Sequence, residues 1–321
     1  MPEDGRATRR VAILAHHNVT MIDVAGPADV FSHANTFGAA YETVLVSPDG
    51  ADAVTSNGLT LRVGAAAAEV AGLDTVIVPG AYGMVEHPFA SSLVNSVDHL
   101  TAVSSRVASV CTGSFLLAEI GLLNHRKATT HFTRLELFRT RFSAVDVQDD
   151  ALYVRDGTIT TSAGIGSGID LALTFVEDDY GPELARLVAR QMLIFVQRPG
   201  GASQFSAASR FSAVENRPLR ALVDAIVADP AADYSVAAMA AHAHVSPRQL
   251  ARLFADELSV TPARYVETVR LEAAQTLLQR GYTVQSAAEL SGLGSAPTLR
   301  RLFLARLGVS PSVYAERMTG A

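Results

Sequence analysis

The C-terminal third of the chain contains an internal repeat, and neither copy has the β-branched runs of a sheet. "VAAMAAHAHVSPRQLARLFADELSVTPARY" (236–265) aligns with "VQSAAELSGLGSAPTLRRLFLARLGVSPSVY" (284–314), with one extra residue in the second copy. Each copy predicts an alanine-rich helix, a short turn, and a second helix with a capping serine and a proline in its first turn, where no amide donor is lost. "ARYVETVRLEAAQTLLQR" (263–280) predicts one long helix connecting the two units. This region therefore has to fold as helices.

The second helix of each unit combines an apolar face with an arginine-rich face. Leucine and phenylalanine take the inward positions: Leu250, Leu253, Phe254, Leu299, Leu302 and Phe303. The opposite face carries side chains that reach base edges and phosphates from within a major groove: Arg248, Gln249, Arg252, Thr298, Arg300 and Arg301. One unit alone is equally compatible with a helical bundle whose arginines are solvated. Two matching units, held apart by a rigid helix, favour binding to successive major grooves of double-stranded DNA.

The charge distribution points in the same direction. The whole chain has a formal net charge of −6, whereas residues 217–321 contain 11 arginines against 9 acidic residues. A small basic excess at one end of an acidic chain is consistent with a DNA-contacting module.

Residues 218–319 resemble the AraC/XylS-type double helix-turn-helix module. The resemblance is carried by "LARLFADELSVTPARYVETVRLEAAQTLL" and "AAELSGLGSAPTLRRLFLARLGVSPSVY". It implies a regulator of transcription in which Arg248, Arg252, Arg300 and Arg301 contact DNA. Ala251 and Pro297 stand where the family often has longer polar side chains, which implies less base readout there. Leu293 replaces a usual aromatic residue, a departure that should affect packing only.

Residues 9–195 have a different pattern, in which short β-branched runs alternate with helical segments. The predicted strands are "RVAILAHH" (10–17), "YETVLVS" (41–47), "LDTVIVPG" (73–80), "RVASV" (106–110) and "GTITTSA" (157–163). Segments between them have apolar residues at helical spacing, so we predict a doubly wound, mostly parallel α/β sheet. In residues 196–217, Pro, paired Gly, Ser and Gln interrupt this pattern, so we predict a linker there.

Cys111, the only cysteine of the chain, follows one of these strands directly. "VCTGSF" predicts a strand-to-helix turn, which would aim the thiol at the mouth of the sheet near backbone amides. A small buried cysteine without a function is the alternative. Because carboxyl ends of parallel strands converge on one crevice, we expect a pocket formed by Cys111, Asp23, Thr112, Gly80, Ala81 and His131. The amides after Gly80 could face an oxyanion or a bound carboxylate.

This part of the chain resembles the PfpI-like branch of the class I glutamine-amidotransferase-like superfamily. The resemblance is carried by "IDVAGPADVF", "VPG", "VCTGSFLLAEIGLL", "ATTHF" and "RDGTITTSAGIGSGIDLALTFVE". It implies a flavodoxin-like sheet and a pocket, but not a single activity. Thr112 stands where the proteases of this branch have a histidine, so peptidase activity is not expected. His131 is expected either to hydrogen-bond near the thiol or to be a packed structural residue.

Asp23, Cys111 and Thr112 together look like the isonitrile hydratase members of the superfamily. That likeness implies hydratase or amidase chemistry, with Cys111 as nucleophile and Asp23 as general acid/base. The fusion to a DNA-binding module instead resembles AraC-type regulators that sense a small metabolite, often a nitrogen compound. We expect the regulator, acting as a homodimer with RNA polymerase as a further candidate partner; a DNA-tethered enzyme is the alternative.

No cofactor or metal is expected. His16, His17 and His33 are not grouped with a carboxylate at metal-site spacing, and "AGIGSG" does not follow the dinucleotide fingerprint. No apolar stretch reaches the length of a membrane span and the N-terminus lacks a signal-peptide pattern, so a cytoplasmic protein without membrane contact is predicted.

Overall fold

A computed structural model describes residues 7–149, 151–164, 166–194, 216–258 and 260–319 of the chain. The chain divides into two compact units, Met1–Gln204 and Phe205–Ala321. All but the last two residues of the predicted linker, 196–217, lie outside the described residues. The exact domain boundaries therefore stay a prediction.

The first unit is an α/β domain. In chain order its elements are β1 (Arg9–Leu14), α1 (Met21–Thr36), β2 (Tyr41–Ser47), β3 (Ala53–Val54), β4 (Thr60–Leu61), β5 (Ala65–Ala66), β6 (Leu73–Val78), α2 (Ser91–Ala102), β7 (Ser104–Val110), α3 (Gly113–Glu119), β8 (Lys127–Ala128), α4 (Leu135–Arg141), β9 (Asp146–Val147), β10 (Tyr153–Asp156), β11 (Ile159–Ser162), α5 (Gly166–Tyr180) and α6 (Pro182–Gln191).

A seven-stranded sheet in the order β10-β11-β7-β6-β1-β2-β5 forms the centre of this unit. All neighbouring strands run parallel except β10, which pairs antiparallel with β11 at one edge. Two-stranded pairs, β3–β4 and β8–β9, lie outside it. The predicted doubly wound, mostly parallel sheet is thereby confirmed.

Both faces of the sheet are covered by helices, which explains why its central strands are apolar throughout. Along β1, Val11 and Ile13 belong to one core cluster, whereas Ala12 and Leu14 belong to the other. The first cluster lies under α1, α5 and α6, and the second lies under α2, α3 and α4. Side-chain alternation with period two thus feeds two separate cores.

A buried ion-pair network joins the amino-terminal edge of the sheet to α5. The carboxylate of Asp179 accepts two hydrogen bonds from Arg106, at 2.8 and 3.3 Å, and one from the Tyr41 hydroxyl at 2.7 Å. Arg106 also lies over the ring of Phe175, 4.0 Å from its centroid. Because the Asp179 side chain is only 7% exposed, removing its partners would leave a buried charge.

The second unit consists of helices: α7 (Arg217–Ala228), α8 (Val236–His242), α9 (Pro247–Leu258), α10 (Pro262–Gln279), α11 (Val284–Leu290), α12 (Ala296–Leu307) and α13 (Pro311–Thr319). Helices α8–α9 and α11–α12 form the two predicted helix-turn-helix units, and α10 is the predicted connecting helix. With 18 residues, α10 is about 27 Å long. Leu250 and Phe254 in α9, and Leu299 and Phe303 in α12, are fully buried.

Within the described part of the chain, no helix is both long and apolar enough to cross a lipid bilayer.

Candidate functional site

Cys111 lies on a sharp turn between β7 and α3, at the carboxyl edge of the sheet. Its φ of +58° is in the left-handed region that non-glycine residues seldom adopt. The Cys111 amide donates to the carbonyl of Ser162 at 3.0 Å, and the Cys111 carbonyl accepts from the hydroxyls of Ser114 and Thr130, both at 3.2 Å. These three contacts hold the turn from both sides, so the thiol has a fixed position.

Two glycines allow the chain to approach this turn. A Cβ atom on Gly164 would lie 2.6 Å from Cβ of Cys111 and 2.9 Å from its Sγ, and the φ of Gly164 is +113°. A Cβ atom on Gly113 would lie 2.0 Å from the carbonyl oxygen of Val78. Larger residues at these positions would therefore displace either the thiol or the start of α3.

Asp23 brings a carboxylate to the thiol from the first turn of α1. Its side chain is completely buried and hydrogen-bonds the Cys111 thiol, while the amide and hydroxyl of Thr112 also contact the sulfur. Burial, and next the charge of Asp23, raise the pKa of the Cys111 thiol to about 12, although the Thr112 contacts act in the opposite direction. At neutral pH, Cys111 is therefore a protonated thiol beside a buried carboxyl group.

Gly80 and Ala81, at the end of β6, contact Thr112. The Ala81 amide donates to Oγ1 of Thr112 at 3.1 Å and also lies 3.0 Å from Sδ of Met84, and the Thr112 hydroxyl lies 3.2 Å from the Ala81 carbonyl. The Gly80 carbonyl accepts from the amide of Thr20 at 3.0 Å. The amide of Ala81 thus positions Thr112. The sequence instead predicts that this amide faces an oxyanion or a bound carboxylate.

His131 lies on the segment that contacts Cys111 through Thr130, but its ring makes other contacts. Its Nδ1 is 2.9 Å from Oγ1 of Thr133, and the ring packs against Phe132 with 4.6 Å between centroids. Burial, and next the charge of Arg134, lower the pKa of His131. Of the six predicted pocket residues, the structure brings Cys111, Asp23, Thr112, Gly80 and Ala81 together, and the imidazole of His131 belongs to a local turn.

The predicted DNA-contacting arginines lie on exposed faces of α9 and α12. Arg248, Arg252, Arg300 and Arg301 are all exposed, and within the described residues none of them forms an ion pair. Cations that are free of intramolecular partners remain available for phosphates and guanine edges.

Gln249 and Thr298 take part in the N-terminal caps of these same helices, together with Ser246 and Ser295. The side-chain oxygen of Gln249 accepts from the amide and hydroxyl of Ser246, at 3.0 and 2.9 Å, while the Gln249 amide donates back to the Ser246 hydroxyl at 3.3 Å. At the start of α12, the Ser295 hydroxyl oxygen accepts from the Thr298 amide at 3.4 Å and lies 3.0 Å from Oγ1 of Thr298. The reciprocal capping of α9 engages part of the Gln249 side chain, which was expected to contact DNA.

Comparison with known proteins assigns both units. A profile of the DJ-1/PfpI family matches residues 9–178, more than half of the chain, and a helix-turn-helix domain profile matches residues 239–317. The chain belongs to the DJ-1/PfpI family. The resemblances inferred from the sequence are confirmed, and the helix-turn-helix units make this DJ-1/PfpI protein a transcriptional regulator.

Relatives of this DJ-1/PfpI protein include regulators and an enzyme. It is 30% identical over 87% of its length to the HTH-type transcriptional regulator CdhR of Pseudomonas aeruginosa, and covers 83% of that protein. It is 32% identical over 57% of its length to the isonitrile hydratase of Pseudomonas putida, covering 77% of the enzyme. The crystal structure of an AraC family transcriptional regulator from Pseudomonas putida matches 57% of this chain and 99% of that one, with 21% identity and a TM-score of 0.52.

His16 is a further residue of the DJ-1/PfpI site that sequence reasoning set aside. It follows β1 and is buried, with Nε2 3.3 Å from the carbonyl of Pro79 and Nδ1 3.2 Å from the carbonyl of His17. Burial lowers the pKa of His16 despite these two acceptors. Its position at the carboxyl end of a central parallel strand was the signal that could have identified it.

The loops beside the DJ-1/PfpI site are tied together by an ion pair. Arg134, just after His131, lies 2.9 Å from Glu86, on the loop that follows β6. Tyr82 and Phe132 are exposed on the same two segments, at 86% and 45%. In the described residues, no group of three or more His, Cys, Asp or Glu side chains is arranged to hold a metal ion.

Proposed function

We propose that this regulator binds a small nitrogen-containing metabolite beside Cys111 and that binding changes its affinity for promoter DNA. The observation that carries the proposal is the buried Asp23–Cys111–Thr112 cluster at the carboxyl edge of the sheet. This edge is where open α/β sheets bind their ligands. A nitrogen compound suits the cluster because an N–H group or a cationic nitrogen complements the Asp23 carboxyl group.

The proposed DNA contacts are Arg248 and Arg252 from α9, and Arg300 and Arg301 from α12. Their exposure and lack of ion pairs within the described residues support this role. Gln249 and Thr298 contribute first through the N-terminal caps of the two helices, in which they pair with Ser246 and Ser295, and these caps orient the arginines. We propose that the chain acts in the cytoplasm as a homodimer, because two copies would engage repeated half-sites, with RNA polymerase as the next partner.

Binding of the full-length chain to its promoter fragment tests the DNA contacts. Alanine at each of the four arginines is expected to weaken binding by about 1–3 kcal/mol for a base-edge contact. A phosphate contact would instead reduce the slope of log K against log salt by about 0.9. Arg220→Ala, at an exposed arginine of α7, is the matched control and should bind like the wild type. Unchanged binding in all four variants would contradict the assignment.

A thermal-shift screen of amines, amino acids and related compounds against the full chain tests the pocket. A ligand at a hundred times its Kd stabilises the folded state by about 2.7 kcal/mol. Asp23→Asn and Cys111→Ala should abolish the shift, whereas Asp178→Asn, on the exposed end of α5, should preserve it. A ligand whose shift survives both pocket substitutions binds elsewhere.

A second candidate function is Cys111-dependent hydration or amide hydrolysis, with the chain tethered to DNA. The contact between the Asp23 carboxyl group and the Cys111 thiol favours it, because Asp23 is placed to accept the thiol proton and return it later. Turnover of isonitriles, amides or glyoxal adducts by the wild type and not by Cys111→Ala would support this function. If wild-type protein shows no turnover and Cys111→Ala keeps ligand-dependent transcription, the enzyme candidate is eliminated.

A further inference from the structure

Leu304 is an apolar side chain within the arginine-rich face of α12. It is 48% exposed, and it lines one shallow surface depression with Pro297, Arg300, Arg301 and Ala305. A single exposed leucine is ordinary on a protein surface. This one differs because it shares its depression with two exposed arginines, and the described residues that line the depression include no carboxylate.

The spacing places Leu304 next to both arginines. It follows Arg300 by four residues and Arg301 by three, which are the two neighbour positions on a helix surface. Helical side chains lean towards the N-terminus, so Leu304 covers the turn from which the arginines project. The three side chains therefore form one mixed surface, cationic on one side and apolar on the other.

The equivalent surface of α9 is different. When Leu250 is aligned with Leu299, Ala255 and Asp256 take the positions of Leu304 and Ala305. Both are exposed, so α9 presents a methyl group and a carboxylate where α12 presents a leucine and a methyl group. The two recognition helices are thus suited to different base sequences.

We propose that Leu304 packs against the C5-methyl group of a thymine in the half-site bound by α12. This inference rests on the proposed DNA binding and specifies one of its contacts. In the major groove, arginine pairs with guanine O6 and N7, and apolar side chains select thymine by its methyl group. Leu304 lies about 4.5–6 Å along the helix from the arginines and base pairs are about 3.4 Å apart, so the thymine lies within about two base pairs of the guanine.

The test uses the full-length protein and duplexes that it selects from a randomised pool. In a selected duplex, each thymine is replaced singly by deoxyuridine, which removes only the C5-methyl group. One replacement beside a conserved guanine is expected to weaken wild-type binding about fourfold, which corresponds to about 0.8 kcal/mol for one lost methyl group. Leu304→Ala should weaken binding to the thymine duplex by a similar or larger factor and should no longer distinguish thymine from deoxyuridine.

Leu290→Ala is the matched control, since Leu290 is a leucine of similar exposure, 53%, on α11. It should retain the preference for thymine, and unchanged melting temperatures should accompany both substitutions. The inference is overturned if no position discriminates thymine from deoxyuridine, or if Leu304→Ala still does so. It is also overturned if Leu304→Ala impairs transcription with unchanged DNA affinity, because Leu304 would then contact a protein. Failure to select any duplex would overturn the proposed DNA binding itself.

Discussion

Replacing Asp23 by asparagine is expected to make the Cys111 thiol more acidic and more reactive. In the wild type, burial and the charge of Asp23 raise the pKa of this thiol from 9.0 to about 12. That difference disfavours the thiolate by about 4 kcal/mol. At pH 8 roughly one molecule in 10,000 would carry a thiolate, against about one in ten for an ordinary cysteine, so alkylation should be about a thousandfold slower.

Cys111 is the only cysteine of the chain, so whole-protein measurements report this thiol alone. Iodoacetamide modification is followed by mass spectrometry between pH 7 and 11, with thiolate absorbance as a second signal. With a pKa of about 12, the alkylation rate should still rise about tenfold per pH unit at pH 11, whereas an ordinary thiol reaches a plateau. The same chain in denaturant supplies the ordinary value. Asp23→Asn removes the charge but not the burial, so its pKa should fall by about one unit, with roughly tenfold faster alkylation at pH 8.

Two results would refute this reasoning. A wild-type thiol pKa at or below 9 would mean that the Thr112 contacts and the helix N-terminus outweigh burial. If the pKa of the Cys111 thiol in the Asp23→Asn variant equals or exceeds the wild-type value, the Asp23 charge does not act on the thiol. The first result would favour a resting thiolate, and with it the hydratase or amidase candidate. The second result would weaken that candidate, in which Asp23 accepts the thiol proton.

Three further predictions concern the stability of the DJ-1/PfpI domain. Asp179→Ala should reduce the free energy of unfolding by about 3–5 kcal/mol in denaturant titrations, because it leaves the part-buried Arg106 without its carboxylate. Asp178→Ala removes an exposed ion pair and should reduce the free energy of unfolding by at most about 1 kcal/mol. Gly164→Ala should lower the free energy of unfolding by about 2–5 kcal/mol, since it adds both backbone strain and a clash with Cys111. Gly181 also has a positive φ but no atom near the added Cβ, so Gly181→Ala should lower the free energy of unfolding by the backbone strain alone. Because the pKa of buried His16 lies below its unfolded value of 6.5, the unfolded chain binds the proton first on acidification, and stability should fall as pH drops below 6.5. His16→Gln should flatten that fall, and an unchanged pH profile would show that another group causes it.

The alternation of strands and helices was predictable from the sequence because apolar runs and helical spacing are local signals. The ends of these strands and helices were less predictable. The predicted first strand runs to residue 17, whereas β1 ends at Leu14. Helix α3 ends at Glu119, two residues before Gly121, which adopts a φ of +77°. The hairpin β3–β4 has only two residues in each strand, too few for a periodic pattern.

The site was predictable to the extent that it depends on strand ends. Cys111, Asp23 and Gly80 each follow or flank a predicted strand, and parallel strands bring such residues to one edge. Contacts between distant residues were not predictable, such as the Ala81 amide on Thr112, 31 residues apart, or Arg106 on Asp179, 73 residues apart. The capping role of Gln249 was visible in "SPRQ", because Ser followed three residues later by Gln is a capping-box pattern.

Coupling between the two units follows from the proposed function and has a strict thermodynamic form. If the effector changes the Kd for the operator by some factor, the operator must change the Kd for the effector by the same factor. A factor of 10 corresponds to about 1.4 kcal/mol of differential binding between the two states of the chain. That free energy has to come from contacts that differ between the states, and Asp23 and Thr112 are the buried polar side chains that a ligand beside Cys111 would meet. Asp23→Asn should therefore reduce both factors together while leaving operator affinity without effector unchanged. Loss of one factor without the other would mean that the pocket and the DNA-binding helices are not linked through a shared equilibrium.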